Sequence, residues 1–304
     1  MEVINRLDEQ YRGLLAEVLH NGADKTDRTG VGTKSSFGHN ITVYMEHGFP
    51  LLTTKKMPLK TISTELKWFL KGRTDLRYLL ENNCHIWTGD CYKVYERVHH
   101  WELEDPDYDI EEFEQKILED DDFNRLWGNL GFIYGHQWRN WKIADGAYTR
   151  YVDQIAELIK GIKEEPHSRR HLVSAWNVGE LDEMTLPPCH YGFQCYVQDG
   201  KLSLMWNQRS VDSFLGLPFN IASYATLLLL LCEQTGLEAG ELIGNLGDVH
   251  LYKNHIQQAK EQIVREPFSL PTIELSNVDI LNGEWDYEIK GYEHHPTIKA
   301  PLSN

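Results

Sequence analysis

Residues 190–210 read HYGFQCYVQDGKLSLMWNQRS. Apolar and polar residues alternate on both sides of Asp199-Gly200, a pair suited to the tight turn of a β-hairpin. Soon after comes NIASYATLLLLLCEQTGL (220–237), apolar nearly all round. A helix of that kind is stable only when buried on every side. A hairpin followed by a buried helix predicts an α/β or α+β fold, a mixed sheet flanked by helices.

The rest of the chain reads in the same way. Ile4, Leu7, Tyr11, Leu14, Leu15 and Val18 predict an opening amphipathic helix. DRTGVGTKSSFG (27–38) reads as a loop and HNITVYMEH (39–47) as a strand. TISTELKWFLKG (61–72), stopped by Gly72, and TDLRYLLENN (74–83) read as helices. So do VDQIAELIKGIKEEP (152–166) and NHIQQAKEQIVREP (254–267), whereas RRHLVSAWNV (169–178) reads as a strand. No repeat, low-complexity linker or domain boundary interrupts residues 1–304, so a single domain is expected.

The net charge is −16, and twelve Asp and Glu against Lys116 and Arg125 in residues 101–125 supply −10 of it. This stretch reads as an acidic insertion at about 95–125, with Ile110, Phe113, Ile117 and Leu118 as an apolar helical face and a solvated charged one. No Lys/Arg-rich tract is present, so nucleic-acid binding is not expected. Five cysteines without a C-x-x-C pair argue against a disulfide framework. The histidines lack paired ligand spacing, so no metal site is expected. The longest apolar run, Leu227–Cys232, is far short of the roughly 20 residues that span a bilayer. With a charged N-terminal stretch, a cytoplasmic protein without a membrane partner is expected.

One cysteine stands apart. In MTLPPCHYGFQ (184–194), Pro187 and Pro188 fix φ ahead of Cys189 and remove two backbone donors. A lone cysteine is usually a small buried hydrophobe. A stiffly held thiol also suits a nucleophile, which needs a cation nearby to become thiolate. Adjacent His190 points to the opposite face of a strand, so an arginine from elsewhere is the better candidate. Arg28, the pair Arg169-Arg170, and Arg209 beside Ser210 also suit a phosphate, because the guanidinium fork binds oxyanions in pairs. Asn220 either caps the buried helix or offers its acceptor and donors to a group such as a uracil edge.

DRTGVGT, FPLLTTKK, ELKWFLKG, HIW, YGHQWR, SRRHLVSAWNVGELDEMTLPPCH, QRSVDSFLGLPFNIASYA, GDVHLYKNH and GYEHHPTIKAP occur in this order along the chain. Together they resemble the thymidylate synthase family, including its pyrimidine nucleotide hydroxymethylases, over nearly everything outside about 95–125. The resemblance implies one α/β domain around a large twisted sheet, and a homodimer formed through that sheet. It implies one-carbon transfer from 5,10-methylenetetrahydrofolate to C5 of dUMP.

By the same resemblance, Cys189 adds to C6 of the pyrimidine, and Arg209 touches both phosphate and thiol. Arg28 and Ser210 also hold the phosphate, and Arg169 and Arg170 reach it from the other subunit. Asn220 reads the uracil edge, where cytosine-specific relatives carry Asp. Gln208 lies beside the nucleotide, and His250 and Tyr252 bind the deoxyribose 3′-hydroxyl. Glu65 is the general acid–base, its pKa raised by burial among Leu66, Trp68 and Phe69. Tyr134 and His190 assist removal of the C5 proton. Asp212 holds the pterin, and Ile86, Trp87, Leu186, Leu215, Gly216 and Phe219 wall the folate.

Three departures stand out. Thr88 replaces the Asp of the usual IWD, GNLGFIYG replaces GDLGPVYG, and the chain ends polar, at Ser303-Asn304. In the family the tail closes over the folate and keeps water from a reactive C5-methylene intermediate. Hydride then gives dTMP and dihydrofolate, the expected outcome. Water would give the hydroxymethyl product of a dUMP hydroxymethylase, of the sort bacteriophages make, placing the protein in a host cytoplasm. A third reading is an inactive nucleotide- or partner-binding homologue.

Overall fold

The computed structural model of the chain describes residues 5–27, 29–102, 108–146 and 148–302, with only the backbone described at 99–102 and 145. Ile4, Arg28, Ser303 and Asn304 therefore lie outside the described residues.

The predicted hairpin is present as β6 (His190–Gln198) and β7 (Lys201–Asp212). Its turn puts Asp199 at φ 51° and Gly200 at φ 76°, the left-handed region that the pair was read to supply. The buried helix is α9 (Gly216–Thr235), ended by Gly236 at φ 73°. It leads to β8 (Glu238–Tyr252), which lies parallel to β7. Parallel neighbours need a crossover, and α9 is that crossover.

Antiparallel pairing extends the sheet from both sides of this unit. β1 (Ala23–Lys25) and β2 (Thr33–Tyr44) lie beyond β8, and β5 (Leu172–Ser174) lies beyond β6. The order is β1-β2-β8-β7-β6-β5, a mixed six-stranded sheet. Two separate hairpins complete the strands: β3 (Trp141–Asp145) with β4 (Tyr148–Val152), and β9 (Thr272–Asp279) with β10 (Glu284–Lys290).

The helices are α1 (Arg6–Asn21), α2 (Leu59–Leu70), α3 (Leu76–Glu81), α4 (Thr88–Glu102), α5 (Ile110–Glu119), α6 (Asp121–Trp127), α7 (Tyr134–Arg139), α8 (Gln154–Glu164) and α10 (Ile256–Ile263). α9 passes the length and composition test for a membrane span, but 72% of its apolar window is buried inside the fold. Its Tyr224 ring stacks on Trp206 of β7, with centroids 5.4 Å apart and planes at 8°.

Some expectations change. The strand begins at Thr33, inside the segment read as a loop, because its small polar residues pair with β8. Only Leu172–Ser174 of the segment 169–178 is strand. In the acidic stretch Phe113 and Ile117 are fully buried, but Ile110 and Leu118 stay 43% and 42% exposed. The buried face is narrower than the pattern suggested. Several of the acids organise helix starts: Asp109 and Glu112 form a capping box on α5, and Asp120 caps α6.

β8 is central yet carries three glycines. A Cβ at Gly244 would stand 2.5 Å from the buried Trp206 ring, and one at Gly240 would stand 2.6 Å from Ser203 Oγ. Gly244→Ala is therefore expected to destabilise the fold by about 1–3 kcal/mol through overpacking against Trp206. Urea unfolding of both proteins measures this, and unchanged stability would refute the close-packing account of these glycines.

Candidate active site

Of the five cysteines, Cys84, Cys91, Cys195 and Cys232 are buried and Cys189 is half-exposed. Burial pushes the Cys84, Cys91 and Cys232 thiols up to about 12 and the Cys195 thiol higher still. These four are inert hydrophobes, which leaves Cys189 as the candidate nucleophile.

The backbone of Cys189 is pinned on both sides. Its N–H donates to the Tyr134 hydroxyl (2.8 Å), and its carbonyl accepts from the Arg209 N–H (2.8 Å). The Arg209 guanidinium donates to the carbonyls of Pro187 (2.8 Å) and Pro188 (3.0 Å). It also lies 5.2 Å from the Trp176 ring centroid. The two prolines thus have a second function: their carbonyls hold the cation next to the Cys189 backbone.

His190 turns inward, as strand alternation predicts. It is buried, stacks on Tyr134 at 4.3 Å, and shares a 2.8 Å hydrogen bond with the Tyr224 hydroxyl. Burial lowers its pKa to about 3, so it is a neutral imidazole near neutral pH. Burial likewise pushes the Tyr134 and Tyr224 phenols above their ordinary range.

Glu65, on α2, is 8% exposed. Burial raises its pKa to about 7, and one hydrogen bond opposes that shift: the Trp87 indole N–H donates to Glu65 Oε1 at 2.8 Å. The carboxyl is therefore poised to give or take a proton near neutrality.

A chain of side-chain bonds orients Asn220. Trp206 Nε1 donates to Gln208 Oε1 (3.0 Å), and Gln208 Nε2 donates to Asn220 Oδ1 (3.0 Å). The Asn220 oxygen retains a second lone pair, and its amide nitrogen is turned away from Gln208. Asn220 does not cap α9, because that helix begins four residues earlier, at Gly216.

A cavity of about 380 Å³ is lined by Lys25, Thr26, Asp27, Thr33, Arg209, Ser210, Asp248, His250 and Tyr252. It brings together four of the residues expected to hold the sugar and phosphate. Asp27 shapes the adjoining loop by accepting from Thr29 N–H (3.0 Å) and Gly32 N–H (2.7 Å). Arg28, in that loop, lies outside the described residues. Arg169 and Arg170 are exposed and do not line this cavity.

Asp212 accepts from the Phe214 and Leu215 N–H groups (3.0 and 3.2 Å). Gly216 fits between it and Asn220: an added Cβ would lie 3.4 Å from Asp212 Cβ and 4.0 Å from Asn220 Oδ1. Ile86, Leu186, Leu215 and Phe219 each pack on the core with one side left half-exposed. Trp87 is more enclosed, 7% exposed, beside Trp68 and Tyr134.

Sequence reading missed Tyr224 and Lys55, since both sit in stretches that look like ordinary core and loop. Lys55 is buried, its pKa lowered to about 7 by burial, with Nζ 3.8 Å from the Phe214 ring centroid. The only available signal was its place in FPLLTTKK.

A family model described as thymidylate synthase matches residues 9–304. The chain is 45% identical over 315 residues to the thymidylate synthase of Listeria monocytogenes serotype 4a (strain HCC23), covering 97% of this chain and 99% of that one. The same identity and coverage hold for the thymidylate synthase of Listeria innocua serovar 6a.

Folded Glu65 holds its proton more tightly than the unfolded chain does, so its contribution to stability falls as pH rises from 4.5 through about 7. Glutamine cannot ionise and removes this loss. Between about pH 4.5 and 8, the stability difference should move in favour of Glu65→Gln by about 3 kcal/mol. Taking the difference cancels His190 and other titrating groups. Urea unfolding across that range is the measurement, and a flat difference would show that the carboxyl is not raised.

Proposed function

The chain belongs to the thymidylate synthase family, and on that premise we propose how its residues divide the work of transferring one carbon to C5 of dUMP. It is a folate-dependent one-carbon transferase of the methyltransferase kind. The observation that carries the residue assignment is the half-exposed Cys189, pinned through its backbone beside the Arg209 guanidinium.

Cys189 attacks C6 as thiolate, favoured by Arg209 and by the nucleotide phosphate's other cations. The electron pair of the C5–C6 bond moves onto C5 and O4, where a positioned donor stabilises it. Asn220, turned by Gln208, gives its amide N–H to O4 and accepts from N3–H. Glu65 supplies and withdraws protons at that end, from a pKa near 7 that suits both directions. 5,10-Methylenetetrahydrofolate supplies the one-carbon unit and then the hydride, leaving as dihydrofolate. Ile86, Trp87, Leu186, Leu215, Gly216 and Phe219 wall it, with Asp212 holding its polar ring; the half-exposed apolar sides of Ile86, Leu186, Leu215 and Phe219 fit an aromatic plate. Before the hydride moves, Tyr134 and neutral His190 assist loss of the C5 proton, which breaks the bond between the folate nitrogen and the transferred carbon; hydride transfer to the resulting C5-methylene then restores the C5–C6 double bond and expels Cys189 as thiolate.

Ser210, His250 and Tyr252 hold the nucleotide's phosphate and sugar. Within one subunit the charges lining that cavity cancel: Lys25 and Arg209 face Asp27 and Asp248, and Lys25 pairs with Asp248 at 2.9 Å. A dianion needs more cations. On our reading Arg28 adds one, and Arg169 and Arg170 of the partner subunit add two. The sheet face away from α9 supports such a homodimer. It carries Thr42, Gln194, Met205 and Ile243 in one cross-strand row, and Gln194, Met205 and Ile243 line a groove of about 580 Å³.

Incubation with dUMP and 5,10-methylenetetrahydrofolate should yield dTMP and dihydrofolate by mass analysis. A hydroxymethyl product with tetrahydrofolate would overturn the hydride step. Cys189→Ala should lower turnover by at least about a thousandfold, and retained turnover would remove the covalent step. Asn220→Asp should shift the ratio of dUMP to dCMP turnover by about two orders of magnitude towards dCMP. An unchanged ratio would end the base-reading role.

A further inference from the structure

The acidic stretch sends one carboxylate towards the active-site wall. Glu114, on α5, has a side chain only 21% exposed. Its Oε1 accepts from the Thr88 hydroxyl (2.5 Å) and from His85 Nδ1 (2.8 Å). Those two residues bracket Ile86 and Trp87, and Trp87 donates its indole N–H to Glu65 at 2.8 Å.

We propose that Glu114 is a positioning residue for the reaction: its carboxylate clamps the His85–Thr88 turn and so holds the Trp87 indole on Glu65. This rests on the reading of Glu65 as the general acid–base. The clamp has a firm base. Phe113 and Ile117, on either side of Glu114, are fully buried. Arg77 fixes the end of α5, donating from Nε to the Ile117 carbonyl (2.6 Å) and from Nη2 to the Asp120 carbonyl (3.0 Å). It also pairs with Asp121 at 2.5 Å. The far side of the turn is equally confined, since the Trp87 ring lies 5.8 Å from Trp68 and 6.0 Å from Tyr134.

Thr88 opens α4, where a negative charge is favoured by the helix N-terminus. Thr88 has no charge of its own, and α5 brings a carboxylate to its hydroxyl.

Among the described residues, the titratable groups that interact electrostatically with Glu65 are Cys84, Tyr134 and Tyr224, each pushed upward by burial and neutral near pH 7. The indole bond is therefore the interaction that draws Glu65 back towards its ionised form. Loosening Trp87 should move Glu65 to a higher pKa.

The test uses the full-length enzyme, with kcat, KM and the pH dependence of kcat for Glu114→Ala and Glu114→Gln. Glu114→Ala should lower kcat about tenfold, keep KM for dUMP within about twofold, and move the pH limb belonging to Glu65 upward. Glu114→Gln keeps an acceptor for the Thr88 hydroxyl and should recover most of kcat. Combining Glu114→Gln with Thr88→Asp returns a carboxylate to the turn and should restore the wild-type limb. A wild-type profile in Glu114→Ala, or a loss matched by the fraction unfolded, overturns the proposal. Glu65→Gln separates the two readings. Full activity there removes the acid–base role and the proposal with it. Activity lost there, with a wild-type profile in Glu114→Ala, removes the positioning role alone.

Discussion

Burial of α9 is the constraint on which the other parts depend. Its single charged residue is Glu233, near its end, so no face of it is suited to water. Each fully buried leucine contributes about 2 kcal/mol relative to exposure, and Leu217, Leu227, Leu228, Leu230 and Leu231 are all at 0%. The helix has to lie inside, and as the crossover between parallel β7 and β8 it lies on the face of the sheet they form. That placement fixes Asn220 and Tyr224, which α9 carries. β7 brings Gln208 and Arg209 to the same end. Arg209 in turn holds Cys189 through its backbone and through two proline carbonyls. The Cys189 thiol proposed as nucleophile, the Asn220 amide proposed to read the base and the Arg209 guanidinium are thus positioned by one β–α–β unit.

The second consequence is dryness. Glu65, His190, Tyr134 and Tyr224 lie in one buried cluster with Phe69, Trp87 and Trp138 around it. Burial moves every one of the four towards its neutral form: acid and phenols up, imidazole down. Hydrogen bonds within such a buried, largely neutral cluster strengthen in the low dielectric. Glu65 differs from the rest in lying near the midpoint of its titration at neutral pH. The indole of Trp87 keeps it there, which is why the geometry of the His85–Thr88 turn matters to chemistry several ångströms away.

The sequence was most legible where a pattern and its physical cause coincide. Asp199-Gly200 has the two positive φ values that the turn requires, and the apolar helix is buried as its composition demands. β8 was not legible, because Gly240, Gly244 and Gly247 break its alternation. Their reason is the approach of Ser203, Trp206 and the Arg209 backbone from β7, which is information held in another strand. β4 is exposed from Tyr148 to Tyr151, so it has no two-faced pattern to read. At the site, Cys189 could be singled out from its neighbours in sequence, whereas Glu65 came with the family resemblance. Tyr224 and Glu114 could not: Tyr224 looks like core, and Glu114 is one acid among twelve in its stretch. What distinguishes it is a hydroxyl and an imidazole from residues 85–88 that meet it only in the fold.

Charge distribution connects the acidic stretch to the phosphate cavity. A chain of net charge −16 has a poor field for an anionic substrate unless its acids are occupied elsewhere. Several are occupied locally: Asp109 and Asp120 cap helices, Asp121 pairs with Arg77, and Asp122 pairs with Arg125. At the cavity, Lys25 is neutralised by Asp248, and Arg209 is left on a loop of carbonyls. One subunit therefore offers a phosphate dianion about one uncommitted cation among the described residues. On the dimer reading, the exposed pair Arg169-Arg170, which has no partner role in its own cavity, supplies the missing charge across the sheet interface. Assembly then creates the anion site, and the isolated chain's negative field ceases to be an obstacle within a Debye length of the bound phosphate.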